Sequence, residues 1–211
     1  MRYFNIPDHS LDSTRQMFRD LENDKRDTKI DLGIGIYRDE KGEAPVFKAV
    51  KKAESILYQN EKSKSYKTPA GNSEYCKNIL DLVLGKTILN ERKHKVGAIQ
   101  IPGAGSGLRI AGELIKNNLQ NKLISIPNPT WGQQPFMFEK AGLKISKYTY
   151  YNQQNNFLDF NHMIDDLNKL KSGDSLLLHG CCHNPTGGDL SLDQWEQVAN
   201  ICLKKGILPF I

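Results

Sequence analysis

No stretch of the chain approaches the roughly 20 consecutive apolar residues that a membrane helix needs, so no spanning segment is expected. The start, Met1 to Ser10, lacks a basic-then-apolar leader, and Asp8 interrupts it, so a secretory signal is not expected either. Cysteine is scarce. Cys76, Cys181, Cys182 and Cys202 are the 4 in 211 residues, two of them adjacent, and that spacing suits neither a disulfide framework nor a zinc ribbon. A reducing, cytoplasmic compartment is the simpler reading. No sign of charge dominates: 29 Lys+Arg against 24 Asp+Glu leaves +5, and the two signs alternate along most of the chain. The densest basic run, Arg92-Lys93-His94-Lys95, is short and follows Glu91. It reads as a solvated loop, and no nucleic-acid partner is expected. Internal repeats and low-complexity segments are absent from the sequence.

What is present is ordinary for a globular fold, with 38% apolar and 25% charged residues. The length fits one large domain, or one domain and a piece of another. Residues 1–44 read differently from the rest. Leu11 to Leu21 is a short amphipathic helix with Leu11, Phe18 and Leu21 on one side. Ile30 to Tyr37 carries Gly33 and Gly35 inside an apolar stretch, which lets another group approach the backbone closely. Arg38 to Glu43 is a turn. Pro45 then opens a helix at its first position, with Val46, Val50, Ala53 and Leu57 as a buried stripe.

From Pro45 onward the hydrophobic periods alternate. Helices are expected at Ser73 to Leu84 (closed by Gly85), Leu108 to Asn118, Gln133 to Ala141 (closed by Gly142) and Asp193 to Lys205 (closed by Gly206). Phe160, Ile164, Leu167 and Leu170 mark one more. Between them, strands are expected at Val96 to Ile101, Lys122 to Ile126, Leu143 to Tyr151, Ser175 to His179 and Ile207 to Ile211. This is an α/β pattern, a mostly parallel sheet with helices on both faces. The last strand is apolar and has no closing helix or polar tail, so the chain reads as the amino-terminal part of a longer fold.

Ligands of such sheets bind outside the carboxyl ends of the strands, where three loops gather. Pro102-Gly103-Ala104-Gly105-Ser106-Gly107-Leu108-Arg109 lets backbone N–H groups converge before a helix. It reads as an anion cradle, suited to a phosphate, or as a plain glycine turn. The dinucleotide fingerprint fails at Leu108, and the Gly-Lys-Ser/Thr of a phosphate loop is absent. In Pro127-Asn128-Pro129-Thr130-Trp131, the tryptophan either stacks on a flat aromatic ligand or caps the core. The Asn128-Pro129 bond is a candidate for the cis form. In His179-Gly180-Cys181-Cys182-His183-Asn184-Pro185-Thr186-Gly187, Asn184 offers a non-titrating amide donor, or satisfies only its own turn. The two histidines and two cysteines follow a strand end rather than a helix face, so no metal site is expected.

Taken in order, Asp31-Leu32-Gly33-Ile34-Gly35-Ile36-Tyr37, the glycine loop through Arg109, Asn128-Pro129-Thr130-Trp131 and His179 to Gly187 resemble the aspartate/tyrosine group of class I aminotransferases. The last motif is highly specific. The resemblance covers essentially the whole chain but only the amino-terminal half of a family member. It implies the large domain of fold-type I enzymes, dependence on pyridoxal 5'-phosphate (PLP), and a homodimer. Residues 1–44 would then belong to the small domain and substrate-site arm, and residues 45–211 to an incomplete PLP-binding large domain.

Position by position, the resemblance implies that Gly103, Ala104 and Gly105 hold the cofactor phosphate. Where Gly105 stands the family usually has a hydroxyl residue, and Ser106 is next door. Trp131 would stack on the pyridine ring, and Asn184 would bond its phenolic oxygen. Trp131, Asn184 and Gly35 would border the substrate, and Tyr66 would reach the phosphate of the neighbouring subunit. Gln134 stands where the family commonly has a histidine supporting the ring-nitrogen aspartate. The lysine that holds the cofactor, that aspartate and the substrate-clamping arginines have no match here, and Lys64 sits in a polar segment. The expected reaction of the whole protein moves an amino group from an amino acid, aspartate first, to a 2-oxo acid such as 2-oxoglutarate. The 211 residues alone are expected to be inactive. The rivals are an aromatic-amino-acid aminotransferase, a non-catalytic remnant that pairs with a complementing fragment, and a nucleotide-binding α/β domain.

Overall fold

The computed structural model describes residues 13–211 apart from Leu32, Lys67 and Lys93. The chain divides into two compact units, Met1–Tyr66 and Lys67–Ile211.

The first unit contains α1 (Ser13–Asn23) and α2 (Lys48–Asn60). Phe18 and Leu21 lie on α1 as their period predicts, while Leu11 lies outside the described residues. Gly33 sits directly against the Met17 side chain, the close approach its missing Cβ permits. In the turn after Tyr37, Asp39 accepts the N–H groups of Lys41 and Glu43, both at 2.9 Å. Two expectations fail here. Helix α2 opens at Lys48, after an extended Phe47 with no side-chain cap, so Pro45 lies in the extended lead-in rather than at the first helical position. The stripe Val46, Val50, Ala53 and Leu57 is exposed, not buried. Among the described residues nothing covers that face, and α2 buries no residue.

The second unit begins with α3 (Ser73–Arg92), broken where Gly85 takes φ 73° and ψ 157°. The expected strand from Val96 to Ile101 does not form. Gln100 N–H donates to Ala70 O at 2.9 Å and its side-chain oxygen accepts from Asn72 N–H at 2.9 Å. The segment thus satisfies itself on the Thr68–Gly71 turn instead of joining a ladder.

Next come α4 (Ala104–Asn118), β1 (Leu123–Asn128), α5 (Gln133–Ala141) and β2 (Lys144–Thr149). A short hairpin follows, β3 (Tyr151–Asn152) against β4 (Phe157–Leu158). The chain then runs through α6 (Phe160–Leu167), β5 (Ser175–Leu177), α7 (Leu192–Lys205) and β6 (Leu208–Phe210). The four long-range strands form one parallel sheet, ordered β2-β1-β5-β6.

Alternation along β5 explains the layers. Leu176 faces a core with Tyr148, Met163, Leu167 and Val198, under α6 and α7. Leu177 faces the other core, with Ile115, Ile124, Ile126 and Phe138, under α4 and α5. Each fully buried aliphatic side chain contributes about 1.5–3 kcal/mol. Helices α5 and α7 stop where Gly142 (φ 88°) and Gly206 (φ 68°) turn left-handed, a conformation that only glycine adopts without cost. At its other end, α7 carries a capping box between Ser191 and Gln194. Helix α4 packs on α5 at Gly112, where an added Cβ would stand 2.7 Å from the Ala141 Cβ.

Candidate functional site

In a parallel sheet all carboxyl ends lie on one edge. The loops after β1 and β5 therefore leave from the same side, and hydrogen bonds join them. Thr130 hydroxyl donates to Gln134 Oε1. Gln134, buried at the first turn of α5, meets His179 Nε2 at 2.9 Å through its amide nitrogen and 3.2 Å through its oxygen. Asn184 N–H in turn donates to His179 Nδ1 at 3.1 Å. Because Nδ1 accepts, the neutral ring carries its proton on Nε2 and donates it to Gln134 Oε1 at 3.2 Å. Burial holds the His179 pKa below its ordinary value and keeps this chain of contacts uncharged.

A second set of bonds fixes the loop from beneath. The Asp189 carboxylate accepts from Cys182 N–H (2.8 Å) and His183 N–H (3.0 Å). Those two donors pull its pKa below the usual carboxylate value. His183 is buried, stacked between Tyr150 (centroids 3.9 Å) and His179 (4.4 Å), with Nδ1 2.9 Å from Thr186 Oγ1. Burial, reinforced by neighbouring His179, lowers its pKa to about 4. Tyr150 donates to Gly188 O at 2.7 Å, and burial pushes its phenol up to about 12. The three rings beneath the loop are thus neutral near pH 7, while the Asp189 carboxylate is charged. Both Asn128-Pro129 and Asn184-Pro185 are cis.

The glycine loop reaches the same edge by a different route. Helix α4 begins at Ala104, four residues before the apolar period starts, so the loop forms the first turn of that helix. Gly105 lies opposite Met137 at 3.5 Å, and Gly112 lies opposite Ala141. The two helices therefore run side by side in the same direction. This sets the amino end of α4 beside the amino end of α5, next to Trp131. Gly103 is exposed and provides no side-chain cap, so the first N–H groups of α4 lack a capping side chain. Ser106 hydroxyl donates to Gly103 O at 2.8 Å, and Arg109 pairs with Glu113 at 2.7 Å.

Of the residues marked in the sequence, Gly103, Ala104, Gly105, Trp131 and Asn184 thus gather at one edge of the second unit. Trp131 is half-buried and Asn184 exposed. Gly35 and Tyr66 belong to the first unit, where both are exposed. Tyr150, Thr186 and Asp189 escaped sequence reasoning. The one available signal was an aspartate directly after two glycines. A separate apolar cavity of about 350 Å³ lies between α7 and β6, bordered by Trp195, Val198, Cys202 and Ile207. Among the described residues no helix is long and apolar enough to cross a membrane.

Comparison with known proteins bears on the same residues. The family model "Aminotransferase class I and II" matches residues 27–211. The aspartate aminotransferase of Escherichia coli (strain K12) is 40% identical over 188 residues, covering 88% of this chain and 47% of its own length. The aromatic-amino-acid aminotransferase of Pseudomonas aeruginosa is 39% identical over 189 residues, covering 90% and 47%. Among solved structures, an aromatic amino acid aminotransferase from Burkholderia cenocepacia superposes with a TM-score of 0.93 at 30% identity, covering 100% of this chain and 53% of that one. Another from Burkholderia pseudomallei, covalently bound to pyridoxal phosphate, superposes at 0.91 with 28% identity, covering 100% and 53%. The chain spans about half the length of the curated relatives it matches.

Proposed function

Because the chain belongs to the class I and II aminotransferases, a PLP-dependent family, we propose that it forms the cofactor-binding half of an enzyme that transfers an amino group from an amino acid to a 2-oxo acid. Aspartate and 2-oxoglutarate are the first choice of substrates. Aromatic amino acids are the alternative, since relatives of the two names match almost equally well. The observation that carries this reading is the Thr130–Gln134–His179–Asn184 chain, which ties Trp131 and Asn184 to one edge beside the uncapped amino end of α4.

The residues fit the cofactor. Its phosphate is a dianion, and the uncapped N–H groups of Ala104, Gly105 and Ser106 with the helix dipole suit one. When bound, the cofactor supplies an electron sink that lets a substrate carbon release its proton. Trp131 offers a flat face to its ring. The exposed Asn184 amide donates to its ring oxygen without titrating. The neutral His179 and Gln134 hold both loops without adding charge. Gly35 is assigned to the substrate border and Tyr66 to the phosphate of the neighbouring subunit in a homodimer. Residues 1–44 are assigned to the small domain and arm, 45–211 to the large domain, and the protein to the cytoplasm. The 211 residues alone hold the cofactor weakly and do not transaminate.

The chain has two tryptophans, Trp131 and Trp195, which makes the test direct. Titrating pyridoxal phosphate into the Trp195→Phe variant should quench the remaining fluorescence reversibly. Trp131→Phe should abolish most of the quench. Quenching confined to Trp195 would refute the assignment.

A further inference from the structure

We infer that Cys181 and Cys182 form a vicinal dithiol site for a trivalent, thiophilic ligand of the organoarsenical class. Both cysteines are unpaired and exposed. Successive side chains of an extended chain point to opposite sides. Cys182 breaks that alternation with φ 50°, a left-handed conformation uncommon outside glycine. Asp189 holds the backbone there through Cys182 N–H and His183 N–H. A non-glycine residue kept left-handed by a charged clamp is the kind of backbone outlier that points to function.

The neighbouring donors decide the ligand class. Zinc takes four ligands at a structural site, and neither nearby imidazole has an exposed, unengaged nitrogen. His179 uses Nδ1 to accept from Asn184 and turns Nε2 to Gln134. His183 contacts Thr186 through Nδ1 and has Nε2 buried without a partner. Among the described residues no group of three or more His, Cys, Asp or Glu could hold a metal ion. Two soft sulfurs remain, which suits a soft centre that needs only two thiolates from the protein. With an aryl arsenoxide, two As–S bonds form and the arsenic–oxygen bond breaks. Both thiol protons leave with the oxygen as water. Arsenic stays trivalent, and nothing is oxidised or reduced.

The test uses phenylarsine oxide on the full 211-residue chain, followed by intact-protein mass measurement. One phenylarsenic group per chain should survive excess 2-mercaptoethanol and be removed by 2,3-dimercaptopropanol. Two bonds from one loop make the second ring closure intramolecular, so losing either thiol should lower the retained adduct about tenfold or more. Cys181→Ser and Cys182→Ser should each show that loss, and Cys76→Ser and Cys202→Ser should not. Circular dichroism checks that each variant is folded. Cys181 has no left-handed backbone to disturb, so its variant serves if the Cys182 variant unfolds. An adduct that persists in a folded Cys181→Ser chain, or that 2-mercaptoethanol strips from the parent, would overturn the site.

Discussion

Acid is expected to loosen the second unit through His183. The ring is 1% exposed, stacked between Tyr150 and His179, and its pKa falls from 6.5 to about 4. Below pH 6.5 the unfolded chain takes up a proton that the folded chain refuses until about pH 4. Stability is therefore fully present above that window and is lost as pH falls through it. Each tenfold change in proton affinity is about 1.4 kcal/mol, so the loss across the window is roughly 3 kcal/mol. His179, whose pKa is also lowered, adds to the loss in the same direction.

The substitution to make is His183→Phe. It keeps a flat ring in the stack and removes the titration, along with a buried Nε2 that has no partner. It also removes the contact to Thr186, which costs about 0.5–1.5 kcal/mol near neutral pH. Urea unfolding followed at several values between about pH 7.5 and pH 4.5 reads both effects. The parent should lose roughly 2–3 kcal/mol over that range, and the variant should lose far less. Equal losses in the two proteins would show that His183 is not the group that resists protonation.

Gly112→Val should destabilise by about 1–3 kcal/mol, because the new side chain meets Ala141 and Phe138 where α4 and α5 are closest; thermal or urea unfolding checks it. The isolated chain should self-associate, since β6 pairs only with β5 among the described residues and Leu203 and Ile211 are 84% and 71% exposed. Light scattering that reports a clean monomer with a cooperative melt would contradict this. A coupled assay with aspartate and 2-oxoglutarate should give no turnover above background for the 211 residues alone.

Local chemistry explains which parts of the fold were legible. Gly142 and Gly206 marked helix ends to the residue, because a left-handed cap has few other solutions. Val96 to Ile101 had the composition of a strand, but a strand also needs a neighbour, and composition carries no information about which edges are free. The start of α4 was missed by four residues because Ala104, Gly105 and Ser106 show no apolar period. Pro45 and the stripe after it followed good local rules that packing overrode. At the site, Trp131 and Asn184 were readable as loop residues after strands. The clasp from Asp189 to Cys182 was not, because it depends on one left-handed residue seven positions away. Gln134 was noticed as a departure from a family pattern, while its contact with His179, 45 residues on, came only with the tertiary fold.

The most direct test of the cofactor half-site is a calorimetric titration with pyridoxamine 5'-phosphate, which has no aldehyde to react with surface lysines. The parent chain should bind it weakly and reversibly at a single site. Ring stacking contributes about 0.5–1.5 kcal/mol beyond area burial, so Trp131→Ala should weaken binding roughly two- to tenfold. Asn184→Ala should weaken it as well. Absence of binding to the parent, or binding that neither substitution changes, would contradict the claim that this edge holds the cofactor.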